Sequence, residues 1–182
     1  MSDSLYDIPL TTIDGRASTL REHVGKVLLI VNVASKCGLT PQYAGLEKLH
    51  GTLGDREFAV LGFPANDFAG QEPGDEAEIQ AFCTATYGVR FPMYAKIRVT
   101  GPDQHPLYRH LTMAAPDATG REAMEVSLRG YGLEPAAKPA VLWNFEKFLV
   151  DRHGRVVGRF APDTAPDAPA LLSAIEAEVA KA

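Results

Sequence analysis

Cys37 and Cys83 are the only thiols in a chain of 182 residues. Cys37 follows an aliphatic, β-branched run, Val27 to Val33, and stands just before Thr40-Pro41, a favoured N-cap and first position of a helix. A helix start offers unpaired N–H groups and a positive dipole end, which favour a thiolate over a thiol, and Lys36 is adjacent. That placement suits a nucleophile at neutral pH. The run Cys37-Gly38-Leu39-Thr40 lacks the second thiol of a Cys-x-x-Cys pair, so general dithiol exchange is disfavoured. A thiolate that attacks something other than a disulfide stays open. Cys83, taken alone, reads as a thiol packed on a helix face.

Other chemistries are excluded by composition. Two cysteines cannot supply a four-ligand zinc site. His23, His50, His105, His110 and His153 are scattered without ligand spacing and read as surface or structural residues. No metal and no cofactor is implied. The formal charge is −5, from 18 Lys and Arg against 23 Asp and Glu, with no basic cluster. Nucleic acid and anionic membrane surfaces are therefore poor partners. The longest apolar run, Val27 to Val33, is interrupted by Asn32 and too short to span a bilayer. Met1-Ser2-Asp3-Ser4 lacks a basic segment leading into an apolar one, so a cytoplasmic location is expected. A permanent disulfide is not expected in that reducing compartment.

The elements that must position Cys37 are legible in the apolar spacing. Tyr6 to Leu10 and Leu20 bracket a turn at Asp14-Gly15, which suggests a short hairpin. Val27 to Val33 reads as a strand buried on both faces. Ala34 to Thr40 is a loop, and Tyr43, Leu46, Leu49, His50 and Leu53 recur at helical spacing. Phe58 to Phe63 reads as a second strand and Asn66 to Gly74 as a loop. Asp75 opens a helix that Gly88 stops after Tyr87. Tyr94 to Val99 reads as a further strand and His105 to Met113 as a short helix. Residues 114–139 form an irregular excursion with room for one short helix. Phe148 to Asp151 and Arg155 to Phe160 form a hairpin about His153-Gly154, and Pro166 to Ala180 closes the chain as an amphipathic helix. Strand, helix, strand, helix, hairpin and helix make a thioredoxin-like α/β fold, a central mixed sheet flanked by helices. No repeat or low-complexity linker interrupts residues 1–182, so one domain is expected.

Val31-Asn-Val-Ala-Ser-Lys-Cys-Gly-Leu-Thr40 closely resembles the active-site stretch of the glutathione peroxidase family. Leu61-Gly-Phe-Pro64 with Asn66, Gln71-Glu-Pro-Gly74, Phe91-Pro-Met93 and Trp143-Asn-Phe-Glu-Lys-Phe-Leu-Val150 follow in the family's order. The resemblance runs from about residue 5 to residue 180 and is greatest to bacterial members that use cysteine. It implies a peroxidase that reduces hydrogen peroxide and organic hydroperoxides through a Cys37 sulfenic acid. It also implies a tetrad of Cys37, Gln71, Trp143 and Asn144. Amide and indole N–H groups suit that chemistry, because the site must donate hydrogen bonds to charge developing on oxygen.

The resemblance assigns Cys83 as a resolving thiol, because members that use thioredoxin carry a second cysteine in this block. Cys83 would form an intramolecular disulfide with Cys37, which thioredoxin reduces. A disulfide needs Cα atoms roughly 4.4–6.8 Å apart, so the 75–87 helix is expected to unwind partly for the pair to meet. Glutathione is the weaker reductant, since only Lys36 and Lys147 are basic candidates near the site. Where many members read Phe-Pro-Cys-Asn-Gln-Phe, this chain has Phe63-Pro64-Ala65-Asn66-Asp67-Phe68. Ala65 cannot resolve anything, and Asp67 is expected to face solvent. The Thr-x-x-Cys pattern of peroxiredoxins is absent, as Ala34 stands three residues before Cys37. The alternatives are a one-cysteine glutathione-dependent peroxidase and a non-catalytic thioredoxin-like redox-sensing or binding protein. Residues 114–139 occupy the place of an assembly loop in tetrameric members, but their composition is not that of a sticky interface, so a monomer is expected.

Overall fold

A computed structural model describes residues 4–181; Met1 to Asp3 of the N-terminal reading lie outside the described residues. A short hairpin, β1 (Leu10–Thr11) and β2 (Ala17–Ser18), leads into β3 (Val27–Val33). Then come α1 (Gln42–Leu53), β4 (Phe58–Pro64), α2 (Glu76–Tyr87), α3 (Pro106–Ala114) and α4 (Arg121–Gly130). β5 (Lys147–Val150), β6 (Val156–Phe160) and α5 (Pro169–Val179) complete the chain.

The main sheet has the order β4-β3-β5-β6. β3 pairs parallel with β4 and antiparallel with β5, and β5 pairs antiparallel with β6. All seven residues of β3 are buried, as its near-continuous apolar run predicts, Asn32 included. Strand geometry then divides them between two cores. Val27, Leu29, Val31 and Val33 face α1, α2 and α5, while Leu28 and Ile30 pack with Leu107, Tyr108 and Leu111 of α3. Each such fully buried aliphatic side chain contributes ~1.5–3 kcal/mol, so the central strand anchors both layers. The result is the mixed sheet flanked by helices that the chain order predicts.

Local chemistry sets the ends of the elements around the site. Asp75 caps α2 by accepting from the Glu78 N–H at 2.9 Å, and Gly88 ends it in the left-handed region. Gly62 has no room for a side chain, because Met93 Sδ occupies the space its Cβ would need. That close approach lets the Phe91-Pro-Met93 segment lie directly on β4.

Two expectations change, and the short helix that residues 114–139 had room for is present. Tyr94 to Val99 is not a strand; its neighbourhood makes only isolated bridges, Thr12 with Tyr94 and Gly62 with Met93. The segment meets the edge of β4 only at Gly62, through Pro92 and Tyr94, and at Pro64, whose carbonyl accepts from the Ile97 N–H at 3.0 Å, which is too sparse for a ladder. Thr40 is not the cap of α1; the helix starts at Gln42 with Pro41 as its N-cap, because the Thr40 hydroxyl is held elsewhere. The 114–139 excursion contains a well-formed amphipathic helix, α4, burying Arg121, Met124 and Leu128. No helix among the described residues is long and apolar enough to cross a membrane.

Candidate active site

Cys37 sits in the turn between β3 and α1, almost buried at 9% exposure. Thr40 knots this turn. Its Oγ1 accepts from the Cys37 N–H at 3.0 Å and donates to the Ala34 carbonyl at 2.8 Å. The knot brings the Leu39 N–H to 3.3 Å from Cys37 Sγ, where it donates to the sulfur. A backbone donor at the end of a buried strand thus serves the role that the sequence attributes to a helix start.

Gln71 comes from the loop after β4. Ala69 and Gly70 both have positive φ, 54° and 62°, and Gln71 N–H closes the turn on the Phe68 carbonyl at 3.2 Å. Left-handed backbone at a non-glycine residue costs of order 1 kcal/mol, so other contacts must hold Ala69 there. One of them is the Lys36 N–H, which donates to Gln71 O at 3.0 Å and ties this loop to the cysteine loop.

Trp143 and Asn144 precede β5, in a segment pinned by Asn32 from the middle of the sheet. Asn32 Nδ2 donates to the Trp143 carbonyl at 3.1 Å, and Asn32 O accepts from the Phe145 N–H at 2.6 Å. Phe145 is held at φ 70°, which reverses the chain and turns Trp143 outward. Trp143 is half-buried, with Phe68 at a ring-centroid distance of 5.3 Å.

Cys37, Gln71 and Trp143 line one cleft of about 540 Å³. Asn144 is fully buried behind it and donates from Nδ2 to Gln71 Oε1 at 2.9 Å. The Gln71 NH₂ has no protein partner among the described residues. The opposite wall is apolar: Leu39, Met124, Leu128, Tyr131 and Leu133, mostly from α4 and the turn after it. That wall was not legible as part of the site, because α4 is remote in sequence from every motif. Asn32, Thr40 and the Leu39 N–H were also missed. The one signal was Asn32 itself, a polar residue inside an otherwise apolar strand.

Cys83 is buried on the inner face of α2, apart from the cleft-lining set, and both cysteines are free thiols. Burial pushes its thiol pKa up; the neighbouring Tyr43 hydroxyl opposes this and the charge of Glu72 adds to it. Ala65 is fully buried in the core behind β4, its N–H on the Val33 carbonyl at 3.0 Å.

Two further expectations are corrected. The Asp67 carboxylate does not face solvent: it is 7% exposed and accepts from the Val99 N–H at 2.6 Å. Val99 has no strand partner, so its amide needs this acceptor. Lys147 is not a surface cation beside the site. It is fully buried, its Nζ donates to the Pro162 carbonyl at 2.9 Å, and burial pushes its pKa down to about 7.

Residues 5–112 match the glutathione peroxidase family model. The chain is 49% identical to the thioredoxin/glutathione peroxidase BtuE of Escherichia coli over 183 aligned residues, covering 100% of both chains. It is 47% identical to the hydroperoxy fatty acid reductase gpx1 of Synechocystis, over 91% of each. Its fold is similar to the crystal structure of T. cruzi GPX1, with a TM-score of 0.70 and 31% identity over 97% of both chains. The chain belongs to the glutathione peroxidase family, and it is a thiol-dependent peroxidase of thioredoxin-like fold.

Proposed function

We propose that Cys37 is the peroxidatic thiol, that Gln71 and Trp143 donate to the reacting oxygens, and that Cys83 resolves the oxidised enzyme. The observation that carries this reading is the single cleft shared by Cys37, Gln71 and Trp143, with Asn144 fixing the Gln71 amide from behind. The Cys37 thiolate attacks the distal peroxide oxygen, the O–O bond breaks, and the departing alkoxide or hydroxide takes a proton to leave as alcohol or water. The Gln71 NH₂ and Trp143 N–H stabilise charge on that oxygen, and the Leu39 N–H steadies the sulfur. The apolar wall of Leu39, Met124, Leu128 and Tyr131 suits organic hydroperoxides as well as hydrogen peroxide.

Cys83 then attacks the Cys37 sulfenic sulfur, water leaves, and a disulfide forms. Cys37 lies in the turn after β3 and Cys83 on the inner face of α2, and in this cycle α2 opens in part for them to meet. Its two fully buried anchors are Ile79 and Cys83 itself, which makes partial opening cost only a few kcal/mol. A dithiol such as thioredoxin reduces this disulfide. The name of the Escherichia coli relative includes both thioredoxin and glutathione. Here the burial of Lys147 leaves Lys36 as the sole basic residue of the two considered for holding glutathione carboxylates, which favours thioredoxin.

The chain is further proposed to act as one cytoplasmic, monomeric domain. Light scattering on the purified protein tests the last point. The central test is NADPH-coupled turnover with thioredoxin or glutathione, on wild type and Cys83→Ser. Loss of thioredoxin-supported turnover in Cys83→Ser is expected; full multi-turnover activity in that variant would overturn the two-cysteine cycle.

A further inference from the structure

One buried carboxylate has no part in the cycle above. Glu72 follows Gln71 and is 1% exposed. Its Oε2 accepts from Ser35 Oγ at 3.1 Å, two residues before Cys37. Its backbone is tied separately, by its N–H to Asn66 Oδ1 at 2.9 Å and by Lys96 Nζ to its carbonyl at 2.9 Å. The side chain is therefore not needed to shape the loop. Lys96 is occupied by carbonyls, Glu72 O and Gly74 O at 2.5 Å, and no Lys or Arg pairs with the carboxylate among the described residues.

The carboxylate sits beside the cysteine loop and faces α2, the helix that carries Cys83. A cleft of about 270 Å³ is lined by Glu72, by Ser35 and Lys36 of the cysteine loop, and by Ile79 and Phe82 of α2. Cys83 lies one helical turn beyond Ile79 on the same buried face. From α1, the buried Tyr43 hydroxyl has no conventional partner and is turned to the Cys83 thiol. The groups around Glu72 are thus Ser35 and Lys36 from the cysteine loop, Lys96 from the segment beside it, Tyr43 from α1, and Cys83 and the Glu78 carboxylate from α2, the last lining the same cleft. Burial raises the Glu72 pKa above the ordinary carboxylate range, against the hydrogen bond from Ser35 and the charges of Lys96 and Lys36. Cys83 is raised too, so it is protonated at neutral pH and needs a base before it can attack.

We propose that Glu72 carries the proton of the resolving step, an inference that rests on the two-cysteine cycle proposed above. As α2 opens, the Glu72 carboxylate takes the proton from Cys83 Sγ. The thiolate attacks Cys37 Sγ, the S–S bond forms and the S–O bond breaks. The hydroxide that leaves takes the proton back from Glu72 and departs as water. Thiol, sulfenic acid and carboxylate become disulfide, water and the same carboxylate, with no outside reactant. The Ser35 hydroxyl holds the carboxylate at the Cys37 end of this path.

Stopped-flow tryptophan fluorescence at single turnover separates a peroxide-dependent phase, Cys37 oxidation, from a peroxide-independent phase, resolution. Glu72→Gln keeps the Ser35 hydrogen bond and is expected to slow the second phase on the order of a hundredfold near neutral pH. The first phase should change far less. The second phase of the variant should then climb with pH as Cys83 ionises unaided, and Glu72→Asp should restore a substantial part of the rate. Equal slowing of both phases at every pH, or like behaviour of the Gln and Asp variants, would show a merely structural role and overturn the proposal. Intact mass of peroxide-treated wild type separates the two levels. If no disulfide forms, the two-cysteine cycle fails and this proposal with it. A disulfide that forms equally fast in Glu72→Gln overturns the role of Glu72 alone.

Discussion

Asn144 Nδ2 donates to Gln71 Oε1 at 2.9 Å, joining two loops that are 73 residues apart. The bond decides which end of the Gln71 amide faces Cys37. With the oxygen held from behind, the NH₂ is the end left for the cleft. Asn144→Asp replaces that donor with an acceptor, so Gln71 should turn its NH₂ away from the peroxide. The second-order rate of Cys37 oxidation should fall about a hundredfold, the usual effect of losing one oxyanion donor. Gln71→Ala should match it, and the double variant should be no worse than either. Stopped-flow oxidation rates check this; additive losses would mean that Asn144 acts independently of Gln71.

Thr40 should matter to stability as well as to rate. Thr40→Val keeps the shape but leaves the Cys37 N–H and the Ala34 carbonyl without their partner. An unpaired buried polar group costs ~1–3 kcal/mol, so a loss of about 2 kcal/mol is expected. At ~2–4 °C per kcal/mol for a chain of this size, Tm should drop by ~4–8 °C. Calorimetry reads the drop, and Thr40→Ser should recover most of it.

Arg159 and Glu146 form an ion pair at 2.8 Å with both side chains fully buried. Arg159 also donates to the carbonyls of Ala115, Pro139 and Ala140, which fastens the segment carrying α4 to the sheet. Arg159→Met leaves the Glu146 carboxylate buried alone and should cost ~3–5 kcal/mol. Arg56, whose pair with Glu176 is about half exposed, should lose less than ~1 kcal/mol as Arg56→Ala. Urea unfolding compares the two directly; equal effects would contradict this account.

Lys147 should leave a signature in the pH dependence of stability. Its folded pKa is pushed down to about 7 from the ordinary lysine value of 10.5, chiefly by burial. Between those values the unfolded chain binds the proton and the folded chain does not, so this group makes stability rise with pH. Below about pH 7 both states are protonated and the cost of burying the charge is fully present. Lys147→Met removes the titration. Its Tm minus that of wild type should therefore be most favourable near pH 6 and decline towards pH 10. A constant difference across that range would mean that Lys147 titrates normally.

The site was legible where chemistry and sequence order agree. Cys37 reads as reactive from its place after a buried strand and before a helix start, and Gln71, Trp143 and Asn144 read as a set from family motifs. The structure brings Cys37, Gln71 and Trp143 to one cleft and puts Asn144 behind them. Asp67 and Lys147 were misplaced for a common reason. Charged residues normally face water, and only a specific buried acceptor need, or a specific carbonyl, takes them inside. Tyr94 to Val99 has strand-like residues and lies at the free edge of β4, yet it meets that edge at scattered points and not in a continuous ladder, and propensity cannot report that.

What the sequence determined by itself is the order of elements and which groups are candidates for the chemistry. Apolar periodicity is a local property, and so is the chemistry of a thiol, an amide or an indole. What tertiary structure decided is direction: that Gln71 offers its NH₂, that the Leu39 N–H meets Cys37 Sγ, that α4 walls the cleft, and that Glu72 lines the gap between the cysteine loop and α2. Each of these depends on a contact between residues brought together by the fold, or on a left-handed residue such as Ala69 or Phe145 held by such contacts. Hydrogen bonds act over about 3 Å and along one line, so chain order alone does not specify them.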